Sequence, residues 1–151
     1  MNRLLLIQRV RNLTRDLSNS IFREIDIIDY INESIDRIKQ VMPEFSGMFY
    51  LMGNEDVPSL LPSHYHHLLA VYATSRCFGQ DERHYQATNF MNEFETKIDD
   101  LKNEINNGQI VITDVQGRPV VTAHTALYVS DNYFESRTGI IDLDNGGEDL
   151  E

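Results

Sequence analysis

PSHYHHLLAVYATSRCFGQDERHYQATNFMNEFETKIDDLKNEINNG, residues Pro62–Gly108, reads as two helical patterns, Ser63–Phe78 and Asp81–Asn107, parted only by Gly79 and Gln80. In the second pattern Ala87, Phe94 and Leu101 recur every seven residues, and Met91, Ile98 and Ile105 follow each of them by four. That spacing keeps one narrow apolar stripe on a single helix face, as in the a/d seam of a coiled coil. A lone helix with so narrow a stripe is marginal in water. The stripe therefore needs a partner, in the same chain or in another subunit.

Upstream, Leu6, Val10, Leu13 and Leu17 recur at helical steps, which predicts a first helix over Asn2–Leu17 with arginines on much of its other face. Ser18–Ser20 is a polar break. A second helix is expected from an N-cap at Asp26, with Asp29 in the first turn where negative charge suits the helix dipole. Its stripe of Ile28, Ile31, Ile35, Ile38 and Met42 stops at Pro43. The connector Met42–Leu61 is punctuated by Pro43, Gly47, Gly53 and Pro58 yet carries the apolar run Met48–Phe49–Tyr50–Leu51–Met52. Such a loop either packs on its own helices or forms a subunit contact. Pro62–Ser63 would open the third helix with a serine cap, and Gly79–Gln80–Asp81 would separate it from the fourth.

Downstream of Asn107–Gly108 the period changes. Gln109–Thr113 is rich in Val and Ile, Asp114–Val115–Gln116–Gly117 supplies a turn, and Val120–Thr122 returns, which predicts a small hairpin. His124–Ser130 and Asn132–Phe134 read as extended, and an acidic end follows from Thr138. The expected fold is mainly α: a four-helix bundle over residues 1–108, a β-hairpin over 109–123, and an extended arm, partly disordered, over 124–151.

The chain has 151 residues and a formal charge of −11, unevenly spread. Residues 1–23 hold Arg3, Arg9, Arg11, Arg15 and Arg23 against Asp16 alone, a net +4, while the rest holds eight cations and 23 acids, a net −15. An acidic body argues against sequence-specific DNA binding, whose affinity rests largely on phosphate neutralisation. The basic amino end is either a solvated helix face or a patch that docks an acidic partner. One cysteine, Cys77, excludes an intramolecular disulfide and suits a reducing compartment. No run approaches the roughly 18 apolar residues of a membrane span, and Met1–Arg15 lacks the apolar core of a signal peptide. A soluble, intracellular protein is expected.

Motifs that carry chemistry are scarce. His64, His66 and His67 cluster, with Cys77 and His84 downstream, but no Cys-x-x-Cys or His-Glu-x-x-His spacing accompanies them, so no metal or cofactor is expected. No nucleophile elbow, P-loop or dinucleotide fingerprint is present, and an enzyme is not expected.

The order of elements resembles the head-to-tail connector (adaptor) proteins of tailed bacteriophages. The resemblance rests on Asp26–Ile27–Ile28–Asp29–Tyr30–Ile31–Asn32–Glu33–Ser34–Ile35, on Leu61–Pro62–Ser63–His64–Tyr65–His66–His67–Leu68–Leu69–Ala70–Val71–Tyr72–Ala73, and on the long helix Asp81–Asn107 with a hairpin and tail behind it. It spans roughly residues 1–135 as a pattern of helices and loops. It implies a structural virion protein of the neck at the portal vertex, assembled in the host cytoplasm into a ring, commonly a dodecamer. The ring would bind the portal protein, contact another neck or tail-completion protein, and extend a channel through which DNA passes without specific binding. Mapped onto this chain, Leu127, Tyr128, Val129, Tyr133 and Phe134 would belong to the portal-docking arm, and Arg9, Arg11 and Arg15 to the subunit interface. Ile110, Ile112, Val115 and Arg118 would sit on the hairpin facing the channel or the next ring. The alternatives are a cytosolic helical interaction module or regulator acting through Met48–Met52, and a nucleic-acid-associated protein using its amino-terminal arginines.

Overall fold

A computed structural model describes residues 1–114 and 116–120. Helices α1 (Arg3–Thr14), α2 (Glu24–Val41), α3 (His67–Gln80) and α4 (His84–Asn106) form the body, with short 3-10 turns at Pro43–Phe45 and Ser63–Tyr65. The chain is mainly helical; the described residues contain no strand, only an isolated antiparallel bridge between Thr113 and Pro119.

Helix α3 lies at the centre and packs against α1, α2 and α4. Every residue from Leu68 to Ser75 is buried, so this helix has no wet face over two turns. Ala70 and Ala73 let neighbouring backbones approach, and the hydroxyls within the buried run are satisfied locally. Thr74 donates to the Ala70 carbonyl (2.7 Å) and Ser75 to the Ala87 carbonyl on α4 (2.7 Å). The heptad stripe of α4 closes onto this surface, with Phe94, Ile98, Leu101 and Ile105 buried and Met91 packed at the margin. Phe94 meets Tyr72 edge-on at 5.0 Å. The stripe of α2 joins the same core through Ile31, Ile35, Ile38 and Met42, with Ile28 only partly buried and Ile27 fully buried. Both seams are thus satisfied within one chain.

Three helix ends share one device. Gly108 has φ 69°, and the Gly108 and Gln109 amides reach back to the Ile105 (3.0 Å) and Glu104 (2.9 Å) carbonyls, the paired bonds of a Schellman cap. The same pair closes α1, where Asp16 bonds to Arg11 (3.0 Å) and Arg15 to Asn12 (3.3 Å), and closes α3, where Arg83 bonds to Phe78 (2.9 Å) and Glu82 to Gly79 (3.3 Å). The left-handed position is taken by Arg15 (φ 60°) in the first and Glu82 (φ 58°) in the second, not by glycine. The expected boundaries shift accordingly. The first helix stops at Thr14, leaving Leu17 exposed, and the third continues through Gly79 and Gln80. Ser63 opens a 3-10 turn instead of capping α3, whose N-cap is His66. Helix α2 begins at Glu24, before the expected cap, and Asp26 instead accepts from Arg23 Nε (2.9 Å) and one terminal Arg23 nitrogen (2.8 Å).

Asp16 organises the turn between α1 and α2. Its carboxylate accepts from the Ser20 (3.0 Å), Ile21 (3.2 Å) and Phe22 (3.0 Å) amides and from the Arg11 guanidinium (3.1 Å), which also reaches the Phe22 carbonyl. Burial, the largest single influence, opposes ionisation of Asp16. The Phe22, Ile21 and Ser20 amides and the Arg11 charge together outweigh it and hold the carboxyl below its ordinary range.

Two outcomes follow from this packing. Phe94→Ala should cost about 3–5 kcal/mol in urea unfolding, as a large core ring does, and a loss below about 1 kcal/mol would mean the stripe is exposed in the monomer. Asp16→Asn should cost on the order of 3 kcal/mol at neutral pH, because Arg11 would remain buried without its charge partner. Because the folded pKa of Asp16 is lowered, the unfolded chain binds the proton more readily. The stability it contributes is therefore full above the ordinary carboxylate range and is lost progressively as pH falls from about 4 down through the lowered folded value. The gap between wild type and Asp16→Asn should narrow over that interval.

Candidate interaction surfaces

The connector between α2 and α3 is packed and outward-facing at once. Met48 and Leu51 enter the core, while Phe49 (67% exposed) and Met52 (77% exposed) point into solvent. The Leu51 amide donates to Asn32 Oδ1 (2.9 Å), the Phe49 amide to the Ser59 hydroxyl (3.2 Å), and the Tyr50 hydroxyl to Asp36 (2.7 Å). At the tip the Asp56 carboxylate accepts from the Met52 (2.8 Å) and Gly53 amides.

Helix α1 clamps this tip. An α-helix begins with amides that have no partner within it. Here the Arg3 amide donates to the Asp56 carbonyl (2.8 Å), the Leu4 amide to the Asn54 carbonyl (3.1 Å), and the Leu5 amide to Asn2 Oδ1 (3.0 Å). The Arg3 guanidinium adds bonds to the Leu51 and Met52 carbonyls and to Asn54 Oδ1 (2.7 Å), and the Asn2 side chain donates to Glu55 (3.0 Å). Phe49, Met52 and Val57 are therefore large apolar groups held exposed on a fixed backbone, with Leu4 and Leu5 exposed on the adjoining helix turn. Exposed apolar groups gathered in this way mark contact sites.

A second surface lies at the other end of α1. Leu13, Arg15, Phe78, Arg83, Gln86 and Phe90 line a dent of about 280 Å³. Phe78 and Phe90 stack at 5.6 Å to form its aromatic wall, and the Arg83 guanidinium lies 5.8 Å from the Phe78 ring while pairing with Asp81 (2.7 Å). Small-molecule sites usually start near about 300 Å³, so this dent suits a single side chain better than a cofactor.

Among the residues singled out from sequence, Arg9 and Arg15 are exposed and neither joins an ion pair among the described residues. Arg11 departs from that set: it is 9% exposed and bound to Asp16 and the Phe22 carbonyl, so its charge serves its own chain. Ile112 departs likewise. It is buried in the core cluster, and Ile110 is partly buried against that cluster. Arg118 is exposed beyond the Asp114 turn, whose carboxylate accepts from the Gln116 and Arg118 amides (both 2.8 Å). Val115, Leu127, Tyr128, Val129, Tyr133 and Phe134 lie outside the described residues.

Cys77 and His66 are withdrawn from solvent. Burial pushes the Cys77 thiol up to about 12, and His84 is exposed. His66 is buried, with Nε2 2.8 Å from the Leu61 carbonyl and its pKa lowered, mainly by burial. Among the described residues no three His, Cys, Asp or Glu side chains gather as metal ligands would, and no helix is long and apolar enough to cross a membrane. The outward members of Met48–Met52 and the Arg3 clamp were not separable in the sequence, because both depend on which carbonyls α1 meets. No protein family model, curated protein or solved structure matches the chain.

Arg3→Ala should leave the helical content unchanged but loosen the tip, at a cost of about 1–3 kcal/mol for the lost charged hydrogen bonds. Hydrogen exchange at the Met52 and Gly53 amides should accelerate. Unchanged protection there would show that the clamp is not what fixes the loop.

Proposed function

We propose that this chain is a structural virion protein, a head-to-tail connector that forms a ring beneath the portal and carries the DNA channel toward the tail. The observation that carries the reading is a helical body whose own seams are closed, while separate apolar surfaces remain at the two ends of α1. A subunit of a ring needs two different faces that complement each other, because a heterologous contact must repeat around the axis. The acidic balance of the chain, −11 overall, suits a conduit that does not hold phosphates. The segment beyond the body carries Tyr128, Tyr133 and Phe134 among acids and is the arm assigned to the portal. A segment that orders on binding gives up entropy, so attachment would draw on several copies engaging together.

The exposed Phe49 and Met52 also favour a second reading, a helical interaction module or regulator acting through that loop. The two readings part at the portal. Removing residues 122–151 should leave the helical body folded, as judged by circular dichroism, and abolish co-sedimentation with portal rings. Attachment retained by the shortened chain would reject the docking arm, and no attachment by the intact chain would reject the connector.

A further inference from the structure

The geometry points to a self-contact in which the loop tip of one copy, led by Phe49 and Met52, seats in the α1–α3–α4 dent of the next. The inference deepens the connector reading and rests on it only for closure into a ring; the pairwise contact is a property of the chain alone.

The two surfaces fit in size and charge. The dent is walled by Phe78 and Phe90 and has room for about one side chain, and the loop presents Phe49 and Met52 singly on a backbone that Arg3, Asn32 and Asp56 already fix. A preorganised anchor loses little entropy on docking. Arg83 is already paired with Asp81 and Asp56 is engaged by the loop's own amides, whereas Arg15 borders the dent without an ion partner among the described residues and Glu55 borders the loop. In a chain of net charge −11, this pairing turns an otherwise repulsive encounter into an attractive one at the point of contact.

Their positions dictate the symmetry. Arg3 and Leu4 hold the tip at the start of α1, while Leu13 and Arg15 enter the dent at its end. With about 1.5 Å of rise per residue, the twelve residues of α1 hold them roughly 18 Å apart. One copy cannot fill its own dent. A pair joined by one such contact leaves one tip and one dent unused, so the contact can propagate head to tail and then either closes or extends.

The test uses two variants of the intact chain. In the first the tip is disabled by Phe49→Asp with Met52→Glu, both at exposed positions. In the second the dent is disabled by Arg15→Glu with Gln86→Trp, which reverses its charge and fills it. Sedimentation velocity across a concentration series should show wild type assembling beyond the dimer, and each variant weakened by at least about tenfold, as for loss of a central anchor. An equimolar mixture should give dimers that grow no further, since only one intact tip and one intact dent remain per pair. Wild type that stays monomeric at every concentration would overturn the inference, as would variants that assemble normally or a mixture that restores nothing. Loss of the contact on removing residues 121–151 would do so too, by making that segment the occupant of the dent. If the dent variant loses its helical circular dichroism, Glu55→Lys combined with Arg15→Glu decides instead: the doubly reversed chain should assemble better than either single reversal, and equal weakness would overturn the inference. Portal co-sedimentation is read separately, so a failed self-contact leaves portal binding to be judged on its own result.

Discussion

Burial of α3 on all sides is the constraint from which the remaining arrangement follows. A helix with no wet face over Leu68–Ser75 must be surrounded, and α1, α2 and α4 are the neighbours that surround it. Its polar atoms are then obliged to bond locally, as Thr74 does to Ala70 and Ser75 to Ala87, since an unpaired hydroxyl in that position is costly. The seams of α2 and α4 are narrow because each needs to cover only part of one central helix. At the periphery the same neighbours are joined by exposed ion pairs, Arg37 to Glu95 (3.0 Å) and Arg76 to Glu33 (3.3 Å), which add register more than stability.

The heptad spacing of α4 was legible because its signal is redundant. Four of its six stripe positions are buried, and any two would have set the face. The helix ends were legible only where chain chemistry announces them. Gly108 takes the left-handed cap of α4 at no steric cost, and Pro43 forces Met42 into extended backbone (φ −131°) at the end of α2. At Arg15 and Glu82 the same cap is occupied by residues that carry no such mark. There the cap is selected by what the following residues gain: Asp16 enters a buried turn, and Arg83 turns toward Phe78. Those gains belong to tertiary structure, so a reading by period runs the first helix on to Leu17 and stops the third at Phe78.

Charge was legible in total and misleading in detail. The excess of arginine in the first 23 residues suggested a face of equivalent cations, but Arg11 neutralises the single acid in that segment from inside the fold. Composition cannot distinguish an arginine that satisfies a buried carboxylate from one that waits in solvent. The distinction rests on Thr14 and Arg11 sharing the inward face of α1 with Leu6, Ile7 and Val10. Helix α1 is therefore a weakly marked amphipath, with polar groups on its inner side and Leu4 and Leu5 on its outer side.

Beside Leu6, Ile7 and Val10, α1 also buries an ion pair, and burying a charge pair is seldom better for stability than burying apolar groups of similar volume. What the buried pair does provide is geometry. Arg11 and Asp16 fix the turn after α1, and the Arg3 clamp fixes the loop before α3 against the start of the same helix. Helix α1 thus spans two differently shaped surfaces, the loop tip at its start and the dent at its end. In the proposed ring, a rigid spacer between unlike ends would transmit orientation from one contact to the next. That requirement is stronger for a repeating assembly than for a single binding event, where a flexible loop would serve equally well.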